Sequence, residues 1–487
     1  MAAEMSQVTV PTGIITRPME GGREAQPQPH ESSPHLLRVD GPMGLLGRIA
    51  AKDVAIKDLG QCTIPSPVAA HLGANAMHFV GEADKVLVND RLSDLGAYAG
   101  QVGALPAFEL AGPRNKIFFE PRNMRCGIVT CGGLCPGLNN VVRGLVLELA
   151  QGYGVRTILG FRFGYEGLVK RFGHEPLQLT PASVAHIHHQ GGTILGSSRG
   201  SQDPSEVVDR LEELGIDVLF VVGGDGTIRG SMQLVAEIAR RNLKIGVVGV
   251  PKTIDNDIHF IDRSFGFESA FSAAVEVIRS ARVEATGARD GIGLVKLMGR
   301  HSGFVACHAA LASTDVDLVL IPEIATALDG EAGVVRCVER VLDRKGHAVI
   351  VVAEGAAQEL IDEASHEGGK DKSGNAKLKD VGVFLRDCLP PRLRVLHRDV
   401  TLKYFDPSYT IRSVPASPSD SVYCWNMARN AVHAAMAGNT EMLVGRWHGR
   451  FVHVPMALAT RSRKQVMPTE DLWMSVIEAT GQPKSFV

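Results

Sequence analysis

From Cys126 onward the chain alternates short, wholly apolar runs with longer amphipathic stretches. CGIVTC, VRTILG, DVLFVVGG and IGVVGVPKT read as strands buried on both faces, because they lack the polar alternation of a half-exposed sheet. LNNVVRGLVLELAQG, SEVVDRLEELG and TIRGSMQLVAEIARRN carry apolar residues at helical spacing. SVAHIHHQGGTILGSSRG is expected to be a helix running into a glycine loop. The alternation then continues. FGFESAFSAAVEVIRSARVEA predicts a helix, GLVKLMGRHSGFVACHAAL a strand and a helix, and VDLVLIPE a strand. VVRCVERVLDRKG predicts a helix, HAVIVVAEG a strand, and the region of SVYCWNMARNAVHAAMAG a long helix. Strand, glycine-rich end, helix is the order of an α/β protein with parallel sheets covered on both faces. Ligands in such sheets bind outside the carboxyl ends of the strands. The strand count is high for one open sheet, so two lobes with a cleft between them are expected.

The flanks differ. Residues 1–120 form an N-terminal extension: Pro-, Gly- and His-rich and disordered to about His35, then packed on the main body. GPMGLLG, from Gly41 to Gly47, superficially suggests a nucleotide loop, but no strand precedes it. The core divides into a lobe over 121–257, to which some later segments return, and a lobe over 258–459. Residues 460–487 read as a polar tail. EASHEGGKDKSGNAKLKD is a charged loop or lid candidate.

Composition narrows the function. Lys and Arg total 51 and Asp and Glu 53, a net charge of −2 in 487 residues, which disfavours a broad basic face for nucleic acid or anionic membrane. A local basic pocket for a small anion stays open. Eight cysteines without a CxxC pair do not make a disulfide scaffold. No uncharged apolar run is long enough to span a membrane and no signal is evident at either end, so a cytoplasmic enzyme is expected.

Three loops follow apolar strands or helices. GGLCPGLNN, from Gly132 to Asn140, suits an anion cradle at a helix N-terminus or an ordinary tight turn. GGTILGSSRG ends in Arg199, whose planar fork suits phosphate. GGDGT places Asp225 at a strand mouth, where it either caps the next helix or binds phosphate through Mg²⁺. PKTIDND brings Lys252, Thr253, Asp255 and Asp257 together after a strand. It is either an Asp/Asn turn or a site with one carboxylate for Mg²⁺ and another for a substrate proton. Arg300 in LMGR, Glu354 in AEG, and Tyr409 and Arg412 in YFDPSYTIR are further candidates. Cys126, Cys131 and Cys135 lack zinc-ligand spacing. His186, His188 and His189 read as a solvated or core-edge cluster in preference to a metal site.

Taken together, GGLCPGLNN, GGTILGSSRG, GGDGT, PKTIDND, LMGRHSG, AEG and YFDPSYTIR resemble the phosphofructokinase family over about residues 125–459. The likeness is to the ATP-dependent long-chain branch of kinetoplastids and plants, which is otherwise similar to pyrophosphate-dependent enzymes. The resemblance implies two Rossmann-like three-layer α/β/α lobes and transfer of the ATP γ-phosphoryl group to O1 of fructose 6-phosphate with Mg²⁺. It implies that Gly133, Arg199, Gly200, Gly224, Asp225, Gly226 and Thr227 bind ATP. Asp225 holds Mg²⁺ with support from Asp257, and Asp255 is the general base. Thr253, Ile254, Asp255, Met298, Gly299, Arg300, Glu354, Tyr409 and Arg412 form the sugar-phosphate site. Lys252, Thr253 and Arg300 stabilise the transferring group. A homotetramer or homodimer is implied, with no nucleic-acid or membrane partner. Three features depart from the short bacterial enzymes: GGLCPG replaces GGDAPG, Pro251 and Lys252 replace a smaller pair, and Gly291 stands where a cross-subunit arginine is found. The competing readings are a pyrophosphate-dependent phosphotransferase and a non-catalytic sugar-phosphate-binding regulatory protein. Lipid and NAD kinases share GGDGT but are expected to lack MGR and Tyr-x-x-Arg.

Overall fold

The computed structural model describes residues 49–68, 79–92, 105–362, 369 and 377–487. The expected disorder before His35 and the GPMGLLG loop lie outside the described residues, as does most of the charged lid candidate.

Two sheets organise the described chain. The larger has nine strands in the order Lys85–Leu87, Ala107–Leu110, Arg450–Pro455, Met442–Trp447, Gly246–Pro251, Val218–Gly223, Arg125–Thr130, Thr157–Phe161 and Leu177–Gln178. Its centre, from Met442–Trp447 to Thr157–Phe161, is parallel. Alternate residues of these strands enter two separate cores. Cys126, Ile128, Phe220 and Val248 face one, and Val129, Leu219, Val221 and Val247 face the other. That is why the strands read as continuous apolar runs: neither face meets water. Helices Leu138–Leu147 and Pro418–Met436 cover the first core, and Pro204–Glu213 and Asp225–Arg240 the second.

The smaller sheet is wholly parallel, in the order Leu318–Leu320, His347–Ala353, Gly291–Leu297 and Thr401–Phe405. Helix Phe267–Thr286 packs with Phe304–Ser313, and Val334–Lys345 with Val381–Val395, around it. The chain is therefore α/β with two three-layer lobes. The hairpin Met442–Trp447 and Arg450–Pro455 lies late in the chain yet extends the larger sheet. Described parts of the extension do the same. Lys85–Leu87 and Ala107–Leu110 form the sheet edge, and the Trp447 indole donates to the Val88 carbonyl at 3.0 Å.

Two local expectations are corrected. SVAHIHHQGG forms no α-helix, only a short 3₁₀ turn at Ile187–His189. Its backbone partners come from elsewhere: the Asn139 amide donates to the Gln190 carbonyl, and the Ile194 N–H donates to the Asn139 side chain. Gly191 also abuts the Ser413 carbonyl so closely that a Cβ would sit 1.7 Å from it. The strip 460–487 is not a loose polar tail. Helix Asp471–Thr480 buries Trp473 and Val476, and Phe486 is fully buried beside Thr326. Large apolar side chains spaced through a polar segment are enough to fold it back on the smaller lobe.

Candidate active site

A cleft of about 1000 Å³ opens at the carboxyl ends of both sheets. Each strand that ends there hands its next residues to the cleft. Arg125–Thr130 leads to Gly132–Gly133, Val218–Gly223 to Gly224–Thr227, and Gly246–Pro251 to Lys252–Asp257. From the smaller sheet, Gly291–Leu297 leads to Met298–Arg300 and His347–Ala353 to Glu354. Every candidate named above lines this cleft except Gly299. That glycine shapes the turn instead: its φ is +126° and a Cβ would lie 2.4 Å from the Ser302 carbonyl.

Positive charge gathers at Gly133. The Lys252 ammonium donates to its carbonyl at 2.8 Å. A Cβ on Gly133 would stand 3.3 Å from an Arg199 guanidinium nitrogen and 3.8 Å from one of Arg412. The bare backbone thus lets three cations approach one loop. Burial pushes the Lys252 pKa down. Arg412 also stacks over the Tyr409 ring at 4.5 Å. Its arm is anchored below by Lys296, which pairs with Asp406 at 2.9 Å and with Asp380 at 2.8 Å.

Four carboxylates, Asp225, Asp255, Asp257 and Glu354, line the same cleft. Thr253 donates to Asp257 at 2.6 Å, and the Asp255 N–H donates to the Thr253 hydroxyl at 3.2 Å. The side chain of Asp255 also accepts a backbone hydrogen bond at Arg300. Its Oδ1 is buried with no hydrogen-bond partner. Burial first, then the charges of Asp257 and Glu354, push its pKa up to about 8. Burial likewise raises Glu354. Asp225 opens helix Asp225–Arg240 without capping it through its side chain; it pairs with Arg229 at 3.1 Å.

Two charged lining residues lie outside the motifs: Arg229 and Arg463. Arg229 is four residues after Asp225 on one helix, a spacing that signals an ion pair. Arg463 pairs with Asp225 at 3.7 Å and with Asp257 at 3.6 Å, and no local pattern points to it. The three histidines stay apart from the cleft; the His188 and His189 rings pack against each other at a tilt, their centroids 3.9 Å apart. Among the described residues no group of three or more His, Cys, Asp or Glu side chains could hold a metal. All eight cysteines are free, and burial pushes the Cys131 and Cys135 thiols up to about 12.

Gly355 fixes the junction between the Met298–Arg300 turn and Glu354. A Cβ there would lie 1.9 Å from the Arg300 carbonyl. Gly355→Ala is expected to cost about 1–3 kcal/mol by forcing these backbones apart, with turnover falling as Arg300 shifts. Thermal melting and initial rates check both effects; a wild-type melting temperature would show that the approach is not constraining.

The family model for phosphofructokinase matches residues 125–435. The chain belongs to the phosphofructokinase family. It is 51% identical over 440 residues to the ATP-dependent 6-phosphofructokinase of Amycolatopsis methanolica, covering 89% of this chain and 96% of that one. The ATP-dependent 6-phosphofructokinase of Trypanosoma brucei brucei is 42% identical, covering 90% and 89%. The ATP-dependent 6-phosphofructokinase 7 of Arabidopsis thaliana is 46% identical, covering 77% of each. The last two relatives come from a kinetoplastid and a plant, the branch that the motifs resemble. Among solved structures, the pyrophosphate-dependent phosphofructokinase of Marinobacter aquaeolei superposes with a TM-score of 0.60 at 18% identity, over 74% of this chain and 93% of that one. At that identity the likeness is one of fold. No helix among the described residues is long and apolar enough to cross a membrane.

Proposed function

We propose that this phosphofructokinase is a 6-phosphofructokinase that transfers the γ-phosphoryl group of ATP to O1 of fructose 6-phosphate. The observation that carries the reading is the unpartnered, buried Oδ1 of Asp255 in a cleft that also gathers Lys252, Arg199 and Arg412. A base and an anion cradle share one cleft, as phosphoryl transfer requires. The strong likeness to enzymes named ATP-dependent supports the donor, and so does open space at Gly226, where a Cβ would meet nothing within 4 Å.

In this reading the ionised form of Asp255, which the charge of Lys252 favours and a cation at Asp225 and Asp257 would favour further, accepts the O1 proton as O1 bonds to the γ-phosphorus. The bond from that phosphorus to the bridging oxygen breaks, and the electron pair leaves with ADP. Lys252 and Arg300 neutralise charge on the transferring oxygens. Glu354 orients the sugar through its hydroxyls, and Arg412 binds the 6-phosphate. Asp225 and Asp257 fit Mg²⁺, since both already face a shared cation and Mg²⁺ is ordinarily held by one or two carboxylates plus substrate phosphates. Bound there, the ion would supply charge neutralisation at the donor phosphates.

The direct test compares ATP with pyrophosphate as donor in initial-rate assays at saturating fructose 6-phosphate and Mg²⁺. ATP is expected to be preferred strongly; preference for pyrophosphate would promote the competing reading, and no transfer from either would favour a binding protein. A second variant tests the sugar side. Arg412→Ala is expected to raise the KM for fructose 6-phosphate by about tenfold or more, the loss of a charge-assisted bond, with the KM for ATP nearly unchanged. The reverse pattern would reassign Arg412.

A further inference from the structure

We propose that Arg463 is the resident counter-cation of the Asp225–Asp257 pair and gives way when a divalent cation binds. The inference rests on the assignment of those two carboxylates to the metal.

Among the described residues, Arg463 is the one cation paired with both. Its guanidinium reaches Asp225 Oδ2 through one terminal nitrogen at 3.7 Å and Asp257 Oδ2 through the other at 3.6 Å. Arg229 pairs with Asp225 alone, within its own helix. Two carboxylates turned toward one space repel, and their pose needs a positive charge between them when no metal is there. A planar fork with two separated donors spans such a pair; a point charge does not.

The backbone at Arg463 is fixed while its side chain is free to leave. The Lys464 N–H donates to the Asp257 carbonyl at 2.9 Å, and an isolated bridge joins Arg463 to Ile258. The Lys464 ammonium donates to the carbonyls of Ile261 at 3.0 Å and Asp262 at 2.8 Å. These bonds lay the strip after Thr460 against the segment that carries Asp255 and Asp257. The strip then crosses to the other lobe. Gln465 donates to the His301 carbonyl at 3.1 Å, and the Val466 N–H donates to Glu323, which also accepts from the Gly303 N–H. The Arg463 side chain is one-third exposed, at 33%, so it has room to swing outward from this anchored base.

A guanidinium and a divalent cation cannot occupy the same carboxylate oxygens at full strength, so the arginine sets the threshold for metal binding. In the absence of nucleotide the site resists the free ion. The donor phosphates, by adding ligands to the metal and accepting the freed guanidinium, tip the exchange. The consequence is that the site favours the metal–nucleotide complex over the bare ion.

The test measures Mn²⁺ binding to nucleotide-free protein by electron paramagnetic resonance, at fixed ionic strength, for wild type, Arg463→Gln, Arg463→Lys and Asp225→Asn. Arg463→Gln is expected to bind Mn²⁺ about tenfold more tightly than wild type, the effect of removing a like charge from the site. Arg463→Lys is expected to fall between, and it decides the matter if the glutamine variant does not fold. Asp225→Asn is expected to lose the binding. Unchanged or weaker affinity in the Arg463 variants, with binding still lost in Asp225→Asn, overturns the role of the arginine and leaves the metal assignment standing. Undiminished binding in Asp225→Asn overturns the metal assignment itself.

Discussion

Asp255→Asn is expected to lower turnover by about 10²–10⁴-fold, the usual worth of a positioned general base, with much smaller changes in the KM values for ATP and fructose 6-phosphate. Asparagine keeps the shape of the side chain and its place beside Thr253, but it has no lone pair able to take the O1 proton. A second readout separates this role from a structural one. The Asp255 carboxyl is raised to about 8 by burial and by Asp257 and Glu354. An unfolded Asp ionises near pH 4, so between about pH 4 and pH 8 the folded protein binds the extra proton and its stability falls as pH rises. The wild type therefore loses stability across that window on this account. Asp255→Asn carries no titrating group there and is expected to be more stable than wild type at pH 8, by an amount that shrinks toward pH 4. Denaturation at several pH values and steady-state kinetics check the two claims. Near-wild-type turnover in the purified variant would sink the assignment of the base.

The parts of this molecule that could be read from its sequence are those whose cause is local. Val218–Gly223 and Gly246–Pro251 are buried on both faces, so their residues had to be apolar without interruption, and no other element demands that over so short a run. The loops GGTILGSSRG and AEG carry glycine because backbone must come close to another chain segment. Gly191 and Gly355 meet carbonyls at distances that no side chain tolerates. What stayed hidden depends on distant parts of the chain. The segment around His186 has helical spacing, yet Asn139 and Ser413 claim its backbone. The late hairpin pairs with Gly246–Pro251 across almost two hundred positions. Arg463 lies in RSRK, a stretch indistinguishable from a solvated surface until Lys464 binds the Asp257 carbonyl. Arg229 was within reach, because its i,i+4 relation to Asp225 is visible in the sequence.

The donor is the point at which one atom group carries the largest consequence. Gly226 is the second residue of helix Asp225–Arg240, and a Cβ built on it meets nothing within 4 Å. Gly226→Asp therefore has room to fold. It replaces the poorest non-proline helix former and adds a negative charge to the first turn, where the helix dipole favours it. Its stability is expected to equal or exceed that of the wild type, so any loss of activity is a loss of binding or chemistry. On the proposed reading the added carboxylate enters the space that the α-phosphate of ATP would need, and it would repel that phosphate as well as fill its place. ATP-dependent turnover is expected to fall by about 10²-fold or more, the cost of a few kcal/mol at the transition state. Lys252 pulls the other way, because its ammonium can neutralise a transferring phosphoryl group from either donor. An attraction common to both donors does not discriminate between them, whereas a blocked pocket rejects the longer one. Gly226→Asp need not gain pyrophosphate activity, since selectivity for a donor is a difference between two affinities and removing one does not create the other. Initial rates with each donor, beside thermal melting of the same preparations, decide the point. Retained ATP turnover in a well-folded Gly226→Asp protein would show that the nucleotide does not pass over this position.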